Sequence, residues 1–126
     1  MSFPRLPLAA AMTALALAGT PHASAEAKSF TLTIKDHRFS PETLTVPAGQ
    51  EFDLTVVNAD PTAEEFESND FHVEKVIAGG KQSTFHIGPL TAGTYGFFGE
   101  RHMDTALGNL FAAAWVTAAA SFSATP

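Results

Sequence analysis

From Phe30 onward, apolar and polar residues alternate in short runs. "FTLTIKD" (residues 30–36) switches character at nearly every position and is rich in β-branched side chains, which predicts a strand with one face turned inward. The pattern then repeats with turn signals between the runs. A turn is expected around Ser40 and Pro41, a short strand over 43–46, a second turn at Pro47-Ala48-Gly49, and a strand over 51–57 that stops at Asn58. The more polar "PTAEEFESNDFHVEKVIAGGKQ" (61–82) holds one short strand near Phe66 and another over 73–77. Gly79 and Gly80 turn the chain into "STFHIGPL", and "TYGFFGE" (94–100) and "NLFAAAWV" (109–116) supply the last two strands. About eight short strands with almost no helical periodicity predict an all-β sandwich or barrel.

The start of the chain has a different character. Residues 1–25 carry one early positive charge at Arg5, an apolar stretch over 6–18 and small residues ending in Ala23-Ser24-Ala25. That is the layout of a secretory signal peptide, so cleavage after Ala25 and a periplasmic destination are expected; an uncleaved N-terminal anchor is the alternative. The domain is then expected over 26–117, with 118–126 as a flexible tail. Among the 126 residues, seven Lys and Arg face 13 Asp and Glu, and loss of Arg5 makes the mature chain more acidic still. An acidic surface disfavours nucleic acid and anionic membranes and suits cations or a basic partner. The chain has no cysteine, which removes disulfides, a thiolate nucleophile and thiolate metal ligands.

No Gly-rich phosphate loop, HExxH or G-x-S-x-G elbow is present, and nothing sets a nucleophile beside a base. Two clusters remain. In "AEEFES", alternation sends Phe66 to one face and Glu65 and Glu67 to the other. The bland reading of Glu64, Glu65 and Glu67 is a solvated acidic face on an edge strand. The second cluster, Glu100, His102, Met103 and Asp104, crowds into five positions after the "YGFFG" strand. Carboxylate with imidazole suits borderline divalent ions, and a thioether adds a preference for copper(I); a polar turn is the plain alternative. His86 has the opposite parity to Phe85 and Ile87 and is expected at the surface. His37 is expected just before a turn, and His72 is a weaker candidate ligand. Glu74 and Lys75 are expected as a cross-strand charge pair at the surface.

The order of motifs "F-x-P-x-x-L-T-V-P-A-G" (39–49), "LTVVN" (54–58) and "GPLTAGTYGFFGERH" (88–102) resembles the small exported cupredoxin-like proteins. The resemblance implies an antiparallel Greek-key sandwich of about eight strands. In blue copper members, a His ligand lies on the strand after the Asn, and the loop after the Tyr-x-Phe strand supplies Cys, His and often Met. Here Gly99 stands in the place of that Cys, and Glu64 or Glu65 in the place of the first His. His102 matches the loop His. Ala106 or Leu107 stands at the Met position, and Met103 is displaced toward the His. Without a thiolate no blue site is expected.

The closer resemblance is to cysteine-free cupredoxin-like proteins that accompany bacterial ferrous-iron permeases and their periplasmic iron-binding partner. It rests on "EFES" (65–68), "EKV" (74–76) and "FFGERHMDTALG" (97–108). It implies a periplasmic component of high-affinity iron uptake that binds iron or copper and assists Fe(II) oxidation. The implied site comprises Glu65, Glu67, Glu100 and His102, with Asp104 and Met103 as additions, and the implied partners are a periplasmic iron-binding protein or a membrane iron permease. A metal-free scaffold that docks a transport partner and a copper carrier using His102 and Met103 are the competing expectations.

Overall fold

The computed structural model describes residues 2–4 and 28–114. The expected leader (1–25, apart from residues 2–4), the expected tail (118–126) and the expected domain limit at 117 lie outside the described residues. Nine strands follow in order: β1 (Lys28–Lys35), β2 (Arg38–Ser40), β3 (Thr43–Pro47), β4 (Phe52–Asn58), β5 (Glu64–Ser68), β6 (Val73–Ile77), β7 (Gln82–Ile87), β8 (Gly93–Gly99) and β9 (Leu107–Ala113). A 3-10 turn, Glu100–His102, follows β8. Among the described residues no helix is long and apolar enough to cross a membrane.

The strands form two sheets, ordered β2-β1-β4-β7 and β3-β9-β8-β5-β6, packed as an all-β Greek-key sandwich. Alternation becomes pleat almost position by position. β4 buries Phe52, Leu54, Val56 and Asn58 and turns Asp53, Thr55 and Val57 outward, while β5 buries Glu64, Phe66 and Ser68. Phe66 lies at the centre of the core, with ring centroids 5.4 Å from Phe85, 5.6 Å from Phe97 and 5.9 Å from Phe39. Such aromatic pairs add about 0.5–1.5 kcal/mol each beyond the apolar area they bury.

Three features differ from the sequence expectation. The three-residue β2 brings the count to nine, because the stretch before Ser40-Pro41 pairs back on β1 rather than running straight into a turn. Two pairings, β1 with β4 and β3 with β9, are parallel. β5 is an interior strand, held between β8 and β6, so its acidic residues are not an edge-strand device. Glu74 and Lys75 are neighbours along β6, opposite Glu67 and Phe66 respectively, and so do not face one another across strands.

His86 is exposed, as its parity requires, and lies directly across from Asp53. Its ring nitrogens stand 2.8 Å from Asp53 Oδ1 and 3.3 Å from Glu51 Oε2. Hydrogen bonding to Asp53, then to Glu51, raises the imidazole above its ordinary pKa. A raised histidine stabilises the fold below its unfolded-state pKa, and that contribution is lost as pH rises through the folded value. His86→Gln is therefore expected to lower Tm at pH 5.5 and to leave it nearly unchanged at pH 9, as measured by thermal melts at the two pH values.

Candidate functional site

The end of the sandwich where β5 begins and β8 ends carries two groups of ionisable side chains, one on each face of β5. Strand parity separates them: Glu65 and Glu67 point outward, Glu64 and Phe66 inward. The 3-10 turn separates the loop residues in the same way. At about 120° per residue, Glu100 and His102 leave the turn in different directions.

On the outer face, Glu65, Glu67 and Glu100 each present a carboxylate oxygen, and these oxygens all lie within 4.8 Å of one another. Glu74 stands opposite Glu67 in the neighbouring strand. The crowding shows in the proton equilibria. Glu65 is pushed up to about 7, first by a hydrogen bond shared with Glu100, then by one with Glu74. Desolvation, followed by the charges of Glu74 and Glu100, also raises Glu67. Acids so close repel one another when ionised, and a proton or a cation relieves the repulsion.

On the inner face, Glu64 is 2 % exposed and fully partnered. Its Oε1 accepts the backbone N–H of Arg101 (2.9 Å) and of Glu65 (3.1 Å), and its Oε2 is hydrogen-bonded to His102 Nδ1. His37 stacks on His102 with centroids 3.5 Å apart and planes within 10° of parallel. His37 is held there by an unusual hairpin turn. Asp36 and His37 join β1 to β2, and both have positive φ, 51° and 57°, a conformation that costs non-glycine residues about 1–3 kcal/mol each. Asp60 offsets this by accepting the N–H groups of Asp36 (2.7 Å) and His37 (3.0 Å). Burial alone would raise the Asp60 carboxyl, but the N–H groups of His37 and Asp36 outweigh it and hold the carboxyl below its usual range. Asn58 fixes Asp60 in turn by accepting its N–H at 3.1 Å.

Of the six residues expected in the site, the structure brings Glu65, Glu67 and Glu100 together. His102 meets a carboxylate of the "AEEFES" segment, but that carboxylate is Glu64. Met103 ends the 3-10 turn and is 54 % exposed, and Asp104 is also exposed; among the described residues no hydrogen bond orients either side chain. His72 is an exposed turn residue with φ of 57°. The sequence put Glu64 on the acidic face, with Glu64 or Glu65 in the place of a first His ligand, and gave His37 no role. The parity that buries Phe66 also buries Glu64 and was sufficient to find it. The placement of His37 depends on a positive-φ turn and a carboxylate 23 residues away, which no local pattern encodes.

The family metal of blue copper proteins does not fit this chain. A Cβ at Gly99 would lie 2.8 Å from Glu64 Cδ and 2.8 Å from Ala106 Cβ, so the space for a side chain there is already filled. Gly99→Cys is therefore expected to destabilise the fold by about 1–3 kcal/mol through overpacking. The same variant, titrated with Cu(II), is expected to show no intense visible thiolate-to-copper absorption.

Residues 8–112 match the family model described as a cupredoxin-like domain. An uncharacterised protein of Rickettsia prowazekii (strain Madrid E) is 44% identical over 77 residues, which cover 61% of this chain and 62% of that protein. The chain thus spans about three-fifths of that relative's length. Among solved structures, amicyanin from Paracoccus versutus aligns with a TM-score of 0.54 at 16% identity, covering 71% of this chain and 83% of amicyanin. A Cu(I) form of a mutant amicyanin gives 0.56 at 13%, covering 68% and 82%. A chain of a heme-copper terminal oxidase dimer gives 0.58 at 12%, covering 68% and 65%. At these identities the likeness is one of fold.

Proposed function

Because this chain belongs to the cupredoxin-like domain family, we propose that it is a metal-handling member of that fold whose ion sits on the outer face of β5. The observation that carries this reading is the convergence of Glu65, Glu67 and Glu100 within ligand distance of one another. An all-carboxylate donor set is hard, so it favours iron, and Fe(III) over Fe(II), above soft copper(I). His102 is committed to Glu64 on the other face of the strand. Asp104 and Met103 are near enough in sequence to the turn to join the ion only after rearrangement.

The fuller role follows from the resemblance of "EFES", "EKV" and the 97–108 loop to proteins of ferrous-iron uptake. In this reading the chain is exported to the periplasm and takes up ferrous iron as cargo. It delivers the iron to a periplasmic iron-binding protein or a membrane iron permease. Carboxylates that prefer Fe(III) make oxidation easier. The electron released by each Fe(II) goes to a copper or redox protein partner, since this chain has no thiolate copper centre of its own. Anaerobic calorimetric titration of the purified protein with Fe(II), and separately with Cu(II) and with Cu(I), tests the reading. Saturable binding of Fe(II) with about one ion per chain supports it. No heat of binding with the fold intact would overturn it and leave a metal-free docking scaffold, and a response to copper(I) alone would leave a copper carrier.

A further inference from the structure

The outer face of the five-stranded sheet carries a second feature, which adjoins the carboxylate cluster where Phe98 faces Glu67 across β8 and β5. Residues directly opposite one another across strands share a face, so Thr94 and Phe111, Gly96 and Asn109, and Phe98 and Leu107 line up outward across β8 and β9. Thr43 of β3 continues the middle row beside Asn109. Gly96 contributes no side chain to that row, and a groove of about 580 Å³ runs over it. One wall is apolar, built from Phe98 and Leu107, and Leu107 is 51% exposed. Glu42 and Asp70 line it with the amides of Asn69 and Asn109, and among the described residues no basic residue lines the groove. Asp70 is fixed at the edge of the trough because its Oδ2 accepts the Gly96 N–H at 2.7 Å. Ser68 donates its hydroxyl to the Gly96 carbonyl at 2.7 Å, closing the same turn onto β8.

We propose that this groove seats a segment of a partner protein, which lays an arginine or lysine side chain over Gly96 between Glu42 and Asp70. The chemistry of the walls selects that occupant. A long basic side chain has an aliphatic stem suited to the face of Phe98 and Leu107 and a cationic head suited to carboxylates. An adjacent apolar residue of the segment covers Leu107, a large aliphatic side chain left in water on an otherwise ordered strand. The overall formal charge of −6 steers a basic surface toward this chain and a second acidic copy away from it. Glu42 and Asp70 lie on separate loops and are not among the grouped carboxylates, while Phe98 of the groove wall stands across from Glu67, so the groove adjoins that cluster without sharing a carboxylate with it.

Gly96 provides a clean test. A Cβ added there meets only Asp70 Oδ2, at 3.6 Å, so a larger residue fills the trough without entering the core. The probe is the acetylated and amidated peptide Leu-Arg-Leu-Arg-Leu, titrated into the ¹⁵N-labelled full chain and followed by amide shifts. Expected are perturbations centred on Asp70, Gly96, Leu107 and Asn109, with weakening as salt is raised. Gly96→Val is expected to weaken binding at least tenfold. Glu42→Gln and Asp70→Asn, the latter retaining an acceptor for the Gly96 N–H, are each expected to weaken it about threefold. Equal binding of the Leu-Glu-Leu-Glu-Leu peptide, undiminished binding to Gly96→Val, or perturbations confined to Glu65, Glu67 and Glu100 would overturn the proposal. So would concentration-dependent self-association that shifts the same amides without peptide.

Discussion

Glu64→Ala is expected to lower stability by about 3 kcal/mol, a fall in Tm of about 15 °C for a domain of this size. The side chain is almost fully buried and holds three partners, the N–H groups of Arg101 and Glu65 and the ring of His102. Alanine leaves all three without an acceptor in a place that water reaches poorly, and leaves a void beside Ala106. Glu64→Gln keeps an acceptor for the backbone groups and can meet the other tautomer of His102, so it should restore most of the loss. The effect should also reach across the strand. By gripping Arg101 N–H, Glu64 sets the 3-10 turn that presents Glu100 to Glu65 and Glu67. Glu64→Ala is therefore expected to weaken iron binding although Glu64 contributes no donor to the ion. Denaturant melts and calorimetry on the same samples check both effects, and an alanine variant within 1 kcal/mol of wild type would contradict this role.

The second large effect is expected when the outer cluster is neutralised. Combining Glu65→Gln, Glu67→Gln and Glu100→Gln should reduce Fe(II) affinity at least a hundredfold, since it removes every charged donor of the proposed site. The metal-free stability of this variant should move the other way. Glu65 is raised from 4.5 to about 7 in the folded protein. In that window the folded state binds a proton more readily than the unfolded state, so wild-type stability falls as pH climbs from 4.5 to 7. The glutamine variant should lack that fall and melt above wild type at pH 8. Loss of binding together with a gain in melting temperature cannot be put down to unfolding. For wild type, proton and metal compete for the same oxygens, so iron affinity should rise between pH 6 and pH 8. A pH-independent affinity would count against the carboxylates as ligands.

The strands and their inward faces were legible because burial on one side imposes a period of two, and β4 and β5 follow it residue by residue. The motif order from Phe39 to His102 carried the family. Pairing was less legible. Neither the parallel match of β1 with β4 nor the interior position of β5 leaves a mark on the local pattern, since both depend on how distant strands meet. In the candidate site, the outward pair Glu65 and Glu67 followed from alternation. The loop was harder to resolve. Glu100 and His102 are two positions apart, and read as a flexible loop they form one donor set. Folded into a 3-10 turn they serve opposite faces of β5, Glu100 with the outer acids and His102 with Glu64. His37 was out of reach, because Asp60 and a positive-φ hairpin bring it onto His102.

X-ray absorption at the iron edge, on the protein loaded with one equivalent of iron, tests most directly where the ion sits. Binding on the outer face of β5 predicts a surround of oxygen donors alone, unchanged in His102→Ala. Scattering from an imidazole ring that disappears in His102→Ala would put the ion at the Glu64–His102 end and contradict the account.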